Sequence, residues 1–242
     1  MTTVFAGAQL DRAPGPQYKR ALQFAEIALR APLPKAGTLG KWRENISESF
    51  AISLVAPKSS VSGSLGPMRF DSILGTNVKW LDDAATALRA RFIVIPTGAD
   101  LTTGQRDRDL LAAYVDKLRK KDSTKRDIVW APTGLWEPPA ASKQAERLGI
   151  LYAFDPIDAP VPVGERVYAR LTAFGARSRF NENMLREVLE AVAEDDIKEA
   201  FIAIESPRSF KEASRLQQLA NDENEDTFDD DDEVDKTADS DE

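Results

Sequence analysis

Three carboxylates and two guanidiniums hold most of the chemistry open to this sequence: Glu26, Asp155 and Glu205, with Arg30 and Arg170. A carboxylate pair can give and take a proton, and a guanidinium grips a carboxylate or phosphate through parallel N–H donors. Asp155 and Glu205 are therefore the candidate catalytic pair. Glu26, Arg30, Trp136 and Arg170 are the candidate ligand-binding residues. The 242 residues include no His and no Cys. Imidazole-dependent nucleophiles are excluded, and so are zinc sites on imidazole or thiolate. Any metal would have to sit on oxygen ligands, and any acid or base would have to be Asp, Glu, Lys or Tyr. No set of residues is singled out as a metal site, and no motif identifies a cofactor.

These side chains need a scaffold that brings them together, and the hydrophobic pattern supplies one. Apolar segments recur at 4–7, 22–29, 50–56, 92–96, 128–132, 150–154, 167–171 and 201–204. Between several of them lie helical stripes: Val78, Leu81, Ala85 and Leu88; Leu110, Leu111, Tyr114, Val115 and Leu118; Met184, Leu185, Val188, Leu189 and Val192. Residues 140–148 read as a short helix, and Phe210, Ala213, Leu216 and Ala220 as a last one. Continuously apolar strands alternating with helices indicate a parallel sheet, and eight of them favour closure into a TIM-like (β/α) barrel.

Strand parity then orients the candidates, because successive side chains point to opposite faces. Ala25, Ile27 and Leu29 suit the helix side, which turns Glu26, Ala28 and Arg30 toward the lumen. By the same rule Tyr168, Arg170 and Thr172 share the lumen face of the seventh strand, and Ala203 and Glu205 that of the eighth. Asp155 follows the sixth strand, at the end where barrel sites are built. Buried charges must pair. The cluster is thus either a structural salt-bridge network or a pocket whose arginines hold an anion while a carboxylate exchanges a proton. Trp136 could line the mouth or cap the core.

Two connections depart from the regular repeat. The Pro-rich 155–165 segment is expected to cross as a loop, and 58–75, with Gly63, Gly66, Pro67 and Gly75, is also read as loop. No nucleotide-binding fingerprint accompanies those glycines.

The formal charge of -8 divides unevenly. Residues 221–242 hold thirteen Asp and Glu against one Lys, while 1–220 hold 31 Lys and Arg against 27 Asp and Glu, a balance of +4. The reading is one barrel domain, 1–220, followed by a disordered acidic tail, 221–242. The tail is a solubilising appendage or an arm for a basic partner. The basic run KLRKKDSTKR at 117–126 lacks interleaved aromatics, so nucleic acid is not an expected partner. No apolar run suits a membrane span and no secretory signal is evident, which together with the missing Cys leads to a cytoplasmic expectation.

The segments LQFAEIALRAPLPKAGTLGKWRENISESFAISLVAP, DIVWAPTGLWEPP, LGILYAFDP and VYARLTAFGARSRFNENMLREVLEAV, in that order, resemble the YecE-like family, the domain of unknown function 72. The resemblance runs from about Val4 to Ala220. It implies a TIM-barrel fold, similar in shape to sugar isomerases and apurinic endonucleases, but no established activity. It retains Glu26, Asp155, Arg170 and Trp136. Where the family carries charged or polar groups, this chain has Val55, Ala131, Thr133 and Thr172, with Glu205 and Ser206 replacing an Asn pair. The pocket the resemblance implies is therefore thinned. The expectation is a protein that binds a small anionic ligand or a protein partner without turnover. The alternative is a carboxylate-dependent hydrolase or isomerase acting on a sugar or phosphorylated substrate.

Overall fold

Each of the eight apolar segments forms a strand: β1 (Thr3–Leu10), β2 (Phe24–Ile27), β3 (Ala51–Val55), β4 (Phe92–Thr97), β5 (Asp127–Pro132), β6 (Leu151–Phe154), β7 (Arg166–Thr172) and β8 (Glu199–Glu205). The computed structural model describes residues 2–121, 125–173, 178–193 and 196–229. The strands close into a barrel in the order β1-β8-β7-β6-β5-β4-β3-β2. Every neighbouring pair is parallel. Around it lie α1 (Pro16–Ala21), α2 (Ala36–Glu44), α3 (Lys58–Val61), α4 (Ser72–Ala87), α5 (Gln105–Lys121), α6 (Pro138–Leu148), α7 (Glu182–Val192) and α8 (Ser209–Asp229). The expected TIM-like barrel is the observed fold, and residues 155–165 cross without a helix as anticipated.

Two features differ from the sequence reading. The 58–75 segment is more ordered than a loop: it contains α3, a two-residue antiparallel ladder pairing Ser62–Gly63 with Gly66–Pro67, and the first turn of α4. Asp71 builds that start, its carboxylate accepting Leu74 N–H at 2.6 Å and the Ser64 hydroxyl at 2.6 Å. The Asp71-Ser72-Ile73-Leu74 capping signal was masked by the glycines around it. At the other end, the boundary drawn at Asn221 falls inside α8, which runs to Asp229; the acidic residues 230–242 lie outside the described residues.

The lumen fills from below with aromatic rings. Phe5 stacks on Phe201 at 4.6 Å between centroids, and Phe92 meets Phe201 and Tyr168 edge-on at 4.6 and 5.3 Å. Small residues facing them, Ala51, Ala131, Ala153 and Ala203, let the rings fit. Gly7 does the same for Phe24, since a Cβ there would lie 2.6 Å from the Phe24 ring and carbonyl oxygen.

Beneath the rings an ion-pair network closes the floor. Arg166 and Glu199, the first residues of β7 and β8, pair with each other; Arg166 also binds Asp127 at 2.7 Å and Arg91 binds Glu199 at 2.6 Å. The Arg91 guanidinium lies 4.7 Å from the Phe201 ring centroid, joining this network to the aromatic layer.

Candidate functional site

Register assembles the site at the upper end. Gln9 on β1 lies beside Glu26 on β2, which lies beside Ser53 on β3, so three polar side chains form one row in the lumen. Phe24 and Glu26 face inward while Ala25 and Ile27 face the helices, as parity predicts. Glu26 is completely buried. Across the lumen, Tyr168 and Arg170 on β7 reach this row.

Every contact of Glu26 comes from a donor. Gln9 Nε2 donates to Oε1 at 2.8 Å, and Arg170 donates to the same oxygen through Nη2 at 2.9 Å and Nε at 3.2 Å. The Tyr168 hydroxyl donates to Oε2 at 2.8 Å. Ser53 Oγ lies 2.8 Å from the same phenol oxygen. A phenol has one proton, so with that proton on Glu26 the Ser53 hydroxyl is the donor to Tyr168. Burial foremost, then the adjacent Glu26 charge, holds the Tyr168 phenol well above its ordinary value, which keeps it a neutral donor. Burial, the largest single influence, opposes the Arg170 charge, yet the surrounding groups, Glu26 foremost, together outweigh it and the guanidinium is held above its ordinary value.

Arg170 thus has one edge fixed. Its Nη2 also lies 3.8 Å from Glu205 Oε2, a looser contact to a carboxylate that is 39% exposed. No described residue takes the N–H groups of Nη1. Arg170 forms one wall of a cavity of about 510 Å³ at the C-terminal mouth, with Thr97, Ala131, Thr133, Asp100 and Lys58 among the other walls. Thr97 Oγ1 accepts the Trp130 indole N–H at 3.0 Å, while Thr133 Oγ1 donates to the Thr97 carbonyl at 2.9 Å. The cavity lies where the resemblance implied larger polar groups: Ala131 and Thr133 leave the space open. A larger groove of about 770 Å³, lined by Arg179, Arg208 and Arg215, lies outside the barrel between α1, α7 and α8, away from Glu26.

The remaining candidates separate from this cluster. Extending the β6–β7 register places Asp155 at the level of Arg170, but its Oδ1 accepts its own turn's Ile157 N–H at 3.0 Å, it has a further partner, and it does not line the mouth cavity. Glu205 does not line it either. Arg30 is exposed and lies three residues past the end of β2, so its expected lumen placement does not hold: parity carries no information once the strand has ended. Trp136 is 5% exposed, donates to the Leu101 carbonyl at 2.9 Å and packs edge-on against Trp130 at 4.8 Å. It caps the core and is absent from the cavity wall.

Sequence reasoning did not single out Gln9, Ser53, Lys58 or Thr97. For Gln9 a signal existed, because it alternates with Phe5 and Gly7 in a strand whose lumen face is otherwise apolar. Tyr168 was placed on the correct face without a role. Lys58 follows β3, and only the path of the chain brings it to the mouth.

No protein-family model matches the sequence, and no curated protein matches it either. Solved structures do. A DUF72 family protein from Enterococcus faecalis superposes with a TM-score of 0.64 at 12% identity, covering 91% of this chain and 98% of that one. The protein described as SacUVDE gives 0.62 at 14% identity, covering 93% and 99%. Endonuclease IV from Thermus thermophilus gives 0.56 at 16% identity, covering 90% and 99%. The fold is a DUF72-like TIM barrel. At these identities the likeness extends to the fold alone. No described helix is long and apolar enough to cross a membrane.

Proposed function

We propose that this barrel binds a small anion, a carboxylate or a phosphate, at its C-terminal mouth and does not turn it over. One observation carries the reading: Arg170 is fixed on Glu26 through Nε and Nη2 and lines an open cavity, and no described residue takes its Nη1 donors. A guanidinium immobilised by a buried carboxylate has little rotamer entropy left to lose on meeting a ligand. Lys58, which also lines the cavity, adds a second positive charge. The mouth is also where barrels of this class place their sites.

The carboxylates expected to act in turnover are placed elsewhere. Glu26 is surrounded by donors, and neither Asp155 nor Glu205 borders the cavity. The carboxylate pair of the alternative reading thus stands outside the lining of this cavity.

Titration calorimetry of the full chain against phosphate, sugar phosphates and small carboxylates tests this. A saturable signal is expected for at least one anion, with binding at least about tenfold weaker in Lys58→Ala, whose exposed side chain carries no part of the fold. Silence across the panel refutes the proposal, as does affinity unchanged by Lys58→Ala and by Arg170→Lys together.

A further inference from the structure

A second cation-rich cavity opens at the opposite end of the barrel. It measures about 580 Å³ and is lined by Arg89, Arg91, Lys125, Arg126 and Arg166 against one carboxylate, Asp127. Part of that charge is already answered. Arg166 engages all three nitrogens with Glu199 and Asp127, and Arg126 binds Asp82 and Thr86. Three cations keep donors that no described residue takes. Arg91 gives only Nη2 to Glu199. Arg89 gives only Nη1 to Glu48, in a pair that is 64% and 88% exposed and so weakly held. Lys125 has no described partner.

Backbone geometry marks two of these three. Arg89 and Lys125 have φ of 47° and 54°, in the left-handed region. Arg89 follows Leu88, the C-cap of α4, and there Ala90 N–H returns to the Ala85 carbonyl and Arg89 N–H to that of Thr86. That terminus ordinarily takes glycine. Here it holds an arginine at the cavity rim.

The path of α8 identifies an occupant. Its Gln217 side chain bonds the backbone of Val4 and Ala6 near the start of β1, so α8 descends toward the floor. From Gln217 to Asp229 the helix advances about 18 Å further. The next thirteen residues, 230–242, contain eight Asp and Glu and one Lys. Extended, they reach roughly 43 Å. An eight-stranded barrel is only roughly 15 Å across between strands, so the cavity lies within reach. The mouth, a full barrel height away, is the less accessible end.

From this juxtaposition we infer that residues 230–242 dock in cis on the floor cavity, their carboxylates meeting Lys125, Arg89 and the free edge of Arg91. The contact is electrostatic and reversible. A tether this short gives a local concentration of order millimolar, enough to populate a weak contact. Another polyanion that binds the floor would have to displace the segment first.

Zero-length carbodiimide coupling of the dilute full chain, mapped by mass spectrometry, tests the inference, because it joins an amine to a carboxylate only where they touch. The expected main product links Lys125 to an Asp or Glu of 230–242 within one chain. Its yield falls at least about fivefold in about 0.5 M salt, where the screening length is roughly 4 Å. Arg89→Gly lowers it as well, and relieves the left-handed backbone, so the variant melts no earlier than the parent. If that variant does melt early, link position and salt response decide alone. Links spread over distant lysines such as Lys58, links between chains, or a yield indifferent to salt would overturn the inference.

Discussion

Replacing Arg170 with Met removes the positive partner of a carboxylate that water cannot reach. Glu26 is 0% exposed and would keep only the Gln9 and Tyr168 donors, losing both bonds from Arg170. Stranding one member of a buried pair costs about 3–5 kcal/mol. Glu26→Gln is milder. It keeps the volume and a carbonyl acceptor, and the Arg170 side chain, 19% exposed, can turn toward solvent and Glu205 at 3.8 Å. About 1–3 kcal/mol is expected there. The double variant Glu26→Gln/Arg170→Met carries neither charge and should be more stable than Arg170→Met alone, by about 1–3 kcal/mol, a coupling typical of direct neighbours. At roughly 2–4 °C per kcal/mol for a chain of this size, Arg170→Met lowers Tm on the order of 10 °C. Urea denaturation followed by circular dichroism measures all four corners of the cycle. A loss below about 1 kcal/mol for Arg170→Met, or strictly additive effects, would mean that Glu26 is not a buried charge held by Arg170, and the account of the mouth site would go with it.

Gly7→Ala places a Cβ 2.6 Å from the Phe24 ring and backbone, and should destabilise by about 1–3 kcal/mol in the same assay. Trp136→Phe should cost about 1 kcal/mol through the lost Leu101 bond while leaving anion affinity unchanged, which separates a core cap from a ligand contact. Burial raises the Glu199 pKa, but bonds from Arg91 and Arg166 outweigh it and the net shift is downward. Its stabilisation is therefore complete above the ordinary value of 4.5 and is lost as pH falls below that toward the depressed folded value; Glu199→Gln should flatten the melting temperature across that acidic window.

What could be read from the sequence depended on how locally each position is determined. Barrel closure was legible because eight strands covered on both faces must be apolar throughout, and helical stripes separate them. The lumen placement of Glu26 and Arg170 was legible because each alternates with apolar neighbours inside a continuing strand. The same rule failed four residues beyond Glu26, since β2 stops at Ile27 and Arg30 belongs to the chain that leaves it. Trp136 could not be settled locally, as an indole buries or lines a pocket equally well and its Leu101 partner lies 35 residues away. Helix α8 passed its apparent end because the stripe stops at Ala220 while the backbone meets no Gly or Pro before Asp229. Lys58 and the mouth cavity depend on how three separate loops converge, which no local pattern encodes.

The contrast between the two ends of the barrel bears on function. At the floor two guanidiniums share Glu199, and the charges close on one another over a packed aromatic layer. At the mouth one guanidinium meets one fully buried carboxylate, and Ala131 and Thr133 line the same cavity. Both ends leave cationic donors beside a cavity, but the floor cations share the partly exposed Glu199, whereas Arg170 at the mouth is held by the fully buried Glu26. Glu26 is placed to hold Arg170 still rather than to exchange protons, since using it as a base would require displacing donors it receives from three residues. The proposed anion recognition therefore rests on a cation fixed by Glu26 beside a cavity whose wall also carries Lys58 and the exposed Asp100.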